Sequence, residues 1–315
     1  MTLPKLAVSL AVLAALLAAL YIRAISREAA IEAAFPPTGQ FVTVDGHKVH
    51  AIIAGSGPDL ILIHGASGNA RDMVLALMDA LAANYRVIAF DRPGLGWSDP
   101  IADTSLKAQA LHLSAAATAL GVTDPIIVGQ SYGGSVTLAW AVYAPLKPRA
   151  LVLVSAPSLP WPGTLDIWYR ITNSWLGDAL AIPLAVALLP ESYIDQTTTA
   201  IFAPDAVPLG YGQAIGVMLT LRRDALRTNA AQVNGLRAQI VAMQPLYAGL
   251  TLPVQLIHGT ADTIVPLNIH SALLVQQLPN AELTVIEGAG HMPHHSHRQL
   301  VLDAIARAAA LAPLH

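Results

Sequence analysis

The 315-residue chain has no cysteine, which excludes disulfides and thiolate metal sites without choosing a compartment. Charge is scarce as well: only 12% of the residues are Asp, Glu, Lys or Arg, against about a quarter in an ordinary globular chain. The net charge of −3 leaves no basic stripe to meet phosphates, so nucleic acid is not expected as a partner. Apolar residues take up the difference, at 54% of the chain, and many are alanine, which favours helices. The length allows one large α/β domain or two small ones, with ample core for either.

The first 35 residues stand apart. Leu6 to Ile22, "LAVSLAVLAALLAALYI", carries no charge over about 17 residues, the lower limit for a helix that spans a bilayer. It is long for the apolar core of a signal peptide, no A-x-A cleavage site follows, and "AISREAAIEAAF" continues as helix. An uncleaved membrane anchor is the expectation; a signal peptide, giving a secreted protein, and a helix packed on the domain are the alternatives. Lys5 and the terminal amine nearly balance Arg23 and Arg27, so orientation is weakly set, and we take the domain as extracytoplasmic. "FPPTG", Phe35 to Gly39, is a stiff spacer into the soluble part.

From Gln40 onward strands and helices alternate. "QFVTV" and "KVHAIIA" flank an Asp-Gly turn; "DLILIH", "RVIAF", "PIIVG", "ALVLVS", "PVQLIH" and "ELTVIE" follow as short apolar runs, suited to strands buried on both faces. Helices are expected near Met73 to Ala83, Ser105 to Leu120, Tyr132 to Tyr143, Ile269 to Leu278 and Gln299 to Leu311. This predicts a mostly parallel eight-stranded sheet with helices on both faces and an antiparallel edge. Between "ALVLVS" and "PVQLIH", residues 156–251 show no strand signal but have helical stretches such as Ala179 to Leu189 and Gly212 to Arg223. We read them as a helical cap inserted into a core of 36–155 and 252–315, in preference to a second independent domain.

"IIVGQSYGGS", Ile126 to Ser135, contains G-x-S-x-G between an apolar strand and a helix. That context marks a nucleophile elbow, whose tight turn demands small residues two before and two after the serine. Gly129 and Gly133 meet the demand around Ser131. A serine hydroxyl needs a base, and the base needs an orienting acid. Asp262 in "HGTADTIVP" and His291 in "GAGHMPHHSH" each lie just past a strand end, in the order expected for this sheet. After "ALVLVS" no carboxylate comes before Asp166, which makes Asp262 the better acid.

The chain resembles the α/β-hydrolase superfamily from about Gln40 to Leu314, through "HGASG", "DRPGLGWSD", "GQSYGG", "HGTADTIVP" and "GAGHMP" in order. The resemblance implies Ser131 as nucleophile, Asp262 as orienting acid, His291 as base, and the backbone N–H groups of Ala66 and Tyr132 as the oxyanion hole. Many relatives carry glutamate five residues after the histidine. Here Ser296 stands in that place, which puts the local support of the histidine loop in question.

Other residues read more plainly. His294, His295 and His297 are expected in the loop or on the surface, and no metal is expected, since no carboxylate sits at helical spacing from a histidine pair. His64 should brace the oxyanion loop, His258 should simply end a strand, and Asp91 and Arg92 should hold a tight turn. In the cap, Trp161, Trp168 and Trp175, with Leu188, Leu189 and Ile201, could line an acyl pocket or pack among themselves. A cofactor-free serine hydrolase of lipophilic carboxylic esters is the expected function. A carbon–carbon bond hydrolase of vinylogous diketones and a non-catalytic binding protein are the alternatives. The oligomeric state is left open.

Overall fold

The computed structural model describes residues 3–164, 167–312 and 314. It begins with helix α1 (Leu3–Ala34) and the antiparallel hairpin β1 (Gln40–Val44) and β2 (His47–Ala54), turned by Asp45 and Gly46 at positive φ. Then come β3 (Asp59–Ile63), α2 (Ala70–Met73), a π-helical turn at Val74–Met78, α3 (Asp79–Leu81), β4 (Arg86–Phe90), α4 (Leu106–Ala119), β5 (Ile126–Gln130), α5 (Tyr132–Tyr143) and β6 (Ala150–Val154). Sequence placed α4 and α5 to within a residue or so because their ends are marked. The Ser105 side chain caps α4 by accepting the Ala108 N–H at 3.1 Å, and the elbow itself starts α5. The expected helix at Met73 to Ala83 is present but starts three residues earlier, running without a break from Ala70 to Leu81 with a π-turn in its middle.

After β6 the chain leaves the sheet. Among the described residues this insertion contains helices and turns but no strand: α6 (Ile167–Thr172), α7 (Ile182–Leu188), α8 (Glu191–Phe202), α9 (Tyr211–Ile215) and α10 (Arg223–Met243) are its α-helices. Sequence missed α10, the longest element of the cap, and ran helix through Gly212 to Arg223, where a break at Gly216 and Arg222 in fact separates short turns from α10. Every third or fourth residue of α10 is buried, from Ala225 through Thr228, Asn229, Gln232, Leu236 and Ile240 to Met243. Three of these are polar, so the helical stripe is invisible to a search for apolar periodicity. The core resumes with β7 (Val254–Gly259), α11 (Ser271–Leu274), β8 (Ala281–Ile286), α12 (Pro293–Ser296) and α13 (Arg298–Leu311).

The eight strands lie in the order β1-β2-β4-β3-β5-β6-β7-β8, antiparallel at β1–β2 and β2–β4 and parallel elsewhere. Strands β3, β5 and β6 are buried along their whole length, as their unbroken apolar runs require. One core packs α4, α5 and the foot of α10 on one face of the sheet; a second packs α2, α3 and α13 on the other. The chain's direction across the sheet reverses between β3 and β5, so the loops leaving those strands diverge and open a crevice at their carboxyl ends.

Helix α1 has two characters. Leu6, Val8, Leu10, Val12, Leu13 and Leu16 are exposed, and the helix is long and apolar enough to cross a membrane. From Leu20 on it packs on the cap. Ala24 meets Ile182, Val186 and Ala187, while Ile31 and Phe35 meet Ile194, Leu219 and Leu221. Arg23 donates to the Ala187 carbonyl and Arg27 to those of Val186 and Leu189, satisfying the open C-terminus of α7. Glu28 accepts the Arg223 N–H at 2.6 Å and pairs with its guanidinium, so it caps the start of α10.

Candidate active site

The G-x-S-x-G turn takes the shape its sequence demands. Ser131 sits at φ 49°, ψ −124°, a strained conformation for a residue with a side chain. A Cβ on Gly129 would lie 2.5 Å from the Gly133 carbonyl oxygen, and one on Gly133 would lie 2.3 Å from that of Ile63. Only glycine lets the turn close and α5 press on β3.

The loop after β3 runs beside this elbow. A Cβ on Gly65 would stand 3.2 Å from the Ser131 Cβ, which puts Ala66 next to the serine. Among the described residues neither the Ala66 nor the Tyr132 N–H has a protein acceptor. His64 braces this loop as expected. Its Nε2 accepts the Arg92 N–H at 3.0 Å, so Nδ1 carries the proton and donates to the Gly65 carbonyl at 2.9 Å. Burial, and then the Arg92 guanidinium, lower His64 to a pKa of about 4.

Arg92 does more than hold its own turn. Fully buried, it donates to the His64 and Gly65 carbonyls and to the Gln109 and Gln232 side-chain oxygens, and stacks 4.3 Å from the Tyr132 ring centre. Asp91 holds the turn, accepting from the N–H groups of Ala70 and Trp97 and pairing with His50 at 2.7 Å.

Asp262 and His291 meet after β7 and β8. His291 Nδ1 donates to Asp262 Oδ2 at 2.8 Å, which leaves Nε2 as the nitrogen able to accept a proton. Asp262 Oδ1 accepts from the N–H groups of Ile264 and Val265. Burial pushes the Asp262 carboxyl up, but hydrogen bonds from His258 and His291 outweigh it, and the group stays well below the usual carboxylate range. Gln130, the residue before the serine, donates to the His291 carbonyl at 3.3 Å and to Met292 Sδ at 3.5 Å, tying the histidine loop to the elbow. Ser131, Asp262 and His291 are all buried. Asp166 lies outside the described residues.

His258 does not merely end a strand. Its Nε2 donates to the Val265 carbonyl at 2.6 Å and lies 3.2 Å from Asp262 Oδ2, while Nδ1 accepts from Ser271. The i, i+4 spacing from Asp262 was the available signal.

The histidine cluster also departs from expectation. His294 is fully buried and His295 nearly so, held by a carboxylate from more than two hundred residues upstream. Asp72 on α2 accepts from His294 Nε2 at 3.1 Å, His295 Nε2 at 2.8 Å and the Tyr211 hydroxyl at 2.8 Å. Asp72, His294 and His295 have ligand atoms within 4.8 Å of one another, a group that could hold a metal ion among the described residues. Three hydrogen bonds fill most of the roughly four acceptor positions of the Asp72 carboxylate, and His294 Nδ1 lacks the acceptor that a metal-bound imidazole ordinarily has. The cluster is a hydrogen-bonded hub joining α2, the histidine loop and the cap.

Support for the histidine loop in place of glutamate comes from the cap. Asp205 Oδ2 accepts the Gly290 N–H at 2.9 Å and the Ser296 hydroxyl at 3.0 Å. The cap tryptophans divide: Trp161 packs against His270 with ring centres 5.9 Å apart, Trp168 is half-buried on α6, and Trp175 is 77% exposed. Ile201 packs with Phe202, Tyr211 and Met292, beside the histidine loop, whereas Leu189 packs with the α1 group and Leu188 is exposed.

Residues 58–298 match the family model for the alpha/beta hydrolase fold. An uncharacterised protein of Mycobacterium tuberculosis (strain H37Rv) is 31% identical over 283 residues, covering 86% of this chain and 81% of that protein. A 2-hydroxymuconate semialdehyde hydrolase of Pseudomonas sp. (strain CF600) is 26% identical over 287 residues, covering 88% and 97%. Among solved structures, a membrane phospholipase A described as a bacterial virulence factor superposes with a TM-score of 0.66 at 20% identity, covering 96% of this chain and 99% of that one. With the sheet order, the elbow and the Asp262–His291 pair in place, these matches establish that the chain belongs to the α/β-hydrolase family.

Proposed function

We propose that the protein is a serine hydrolase of lipophilic carboxylic esters. The observation that carries this reading is the Asp262–His291 hydrogen bond, which leaves Nε2 as the His291 nitrogen able to accept a proton, on a loop tied to the strained elbow of Ser131. Ser131 Oγ attacks the ester carbonyl as His291 Nε2 takes its proton; Asp262 keeps the imidazole in the right tautomer and stabilises the imidazolium. The oxyanion is held by the Ala66 and Tyr132 N–H groups, each worth about 3–4 kcal/mol where such donors have been removed. His291 gives its proton to the departing alcohol, then activates a water that attacks the acyl-enzyme, and Ser131 is regenerated. A nucleophilic serine sets the chemistry apart from family members that use aspartate.

The preference for lipophilic esters is supported by two features: the apolar run of α1, which we take as an uncleaved membrane anchor, and the apolar cap. We take residues 1–35 as anchor and linker, 156–251 as cap, and 36–155 with 252–315 as catalytic core. The likeness to a 2-hydroxymuconate semialdehyde hydrolase favours a second reading, cleavage of a carbon–carbon bond in a vinylogous diketone by the same three residues.

A chain-length series of p-nitrophenyl and monoacylglycerol esters, assayed beside a ring-cleavage diketone, separates the two. The ester reading expects turnover that rises with acyl length and is lost in Ser131→Ala. Turnover of the diketone alone would replace it with the second reading, and full ester turnover by Ser131→Ala would refute the assigned nucleophile.

A further inference from the structure

The cap reaches into the machinery at two separate places, and each contact has the same form. On α10, Asn229 is buried and its Oδ1 accepts the Ser67 N–H at 2.8 Å. Ser67 directly follows Ala66 and sits at φ 53°, in the left-handed region that a serine adopts only when its surroundings hold it there. In the segment joining α8 to α9, Asp205 accepts the N–H of Gly290, the residue directly before His291. That contact is close along the backbone as well: a Cβ on Gly290 would lie 2.4 Å from the Ala203 carbonyl oxygen and 2.9 Å from that of Phe202.

We propose that Asn229 and Asp205 are positioning residues through which the seated cap sets the oxyanion loop and the base. The inference rests on the serine-hydrolase reading above. Neither side chain needs to touch substrate; each accepts a hydrogen bond from the backbone next to a group that acts. Secondary contacts point the same way. Gln232, one turn beyond Asn229, accepts from Arg92, which in turn holds the His64 and Gly65 carbonyls. Tyr211 reaches Asp72 and through it His294 and His295, and Asn69 donates to the Ile215 carbonyl of α9. Phe202, Tyr211 and Ile215 pack on Met292, the residue after His291. Displacing the cap removes the acceptors for Ser67 and Gly290 together, so the serine acts at full rate only while the cap is seated.

The test uses the full-length chain in detergent, with Asn229→Ala, Asp205→Ala and Asp205→Asn. For each, kcat and KM on a p-nitrophenyl ester, affinity for an alkylboronic acid that forms a tetrahedral adduct on Ser131, and the melting temperature are measured. Both alanine variants are expected to lose about 10- to 100-fold in kcat and a similar factor in boronic-acid affinity, with KM held within about twofold. Asp205→Asn keeps an acceptor oxygen and is expected to recover most of the loss. A raised KM with unchanged kcat would show that these residues only shape the substrate site and would overturn the proposal. So would a lowered melting temperature with unchanged kcat per folded molecule, or Asp205→Asn behaving like Asp205→Ala. Turnover in Ser131→Ala would overturn the hydrolase reading and this inference with it; no turnover there, with normal kcat in both alanine variants, would overturn this inference alone.

Discussion

Two buried histidines give the molecule a pH window. Burial and the neighbouring Arg92 hold His64 near pKa 4, and burial and the neighbouring His258 hold His270 near 4, both below the 6.5 of a free imidazole. Below pH 6.5 the unfolded chain binds protons that the folded chain refuses, so stability is complete above 6.5 and falls as pH drops towards 4. For His64 alone the difference corresponds to on the order of 3 kcal/mol. The melting temperature is therefore expected to fall between pH 6.5 and 4, and His64→Gln should flatten that slope; an unchanged slope would refute the assignment. The glycines around Ser131 make a steric prediction. Gly133→Ala drives a methyl into the Ile63 carbonyl, and the variant should unfold several denaturant steps earlier, by roughly 3 kcal/mol or more, in a urea titration.

At this scale the site is only half legible in sequence. Ser131, Asp262 and His291 can be read because each sits in a short motif whose neighbours announce the backbone shape it needs. Asp72, Asp205, Asn229 and Gln232 cannot. Their partners lie 222, 85, 162 and 140 positions away, and nothing local distinguishes them from ordinary polar residues. The same blindness made His294 and His295 look like surface residues: their carboxylate comes from another part of the chain.

Among the elements, α1 and α10 differ most from the sequence-based expectation. The exposed half of α1 is legible from its apolar run. The docked half is not, because Arg23, Arg27 and Glu28 look like flanking charges until α7 and α10 are seen to end and begin against them. A chain starting at residue 36 would lose these caps and the burial of Ile31 and Phe35, roughly 3–6 kcal/mol from those two side chains. A chain starting at residue 20 keeps both. Thermal unfolding is expected to show residues 20–315 close to the full chain and residues 36–315 markedly less stable; equal melting temperatures would mean that the docking contributes nothing. The sheet strands, by contrast, were legible nearly in full, since a strand buried on both faces must be a short unbroken apolar run with turn residues at its ends.

Across the whole molecule, the loops after the strands carry Ser131, Asp262 and His291, and the helical insertion supplies acceptors to the N–H groups of Ser67 and Gly290 beside them. That insertion is in turn braced by α1. Arg27 and Glu28, adjacent in sequence, each grip a different helix of the insertion, Arg27 the end of α7 and Glu28 the start of α10. If α1 serves as the proposed anchor, its contacts with α7 and α10 place the helical insertion, rather than the sheet, next to the point where the chain would enter the lipid.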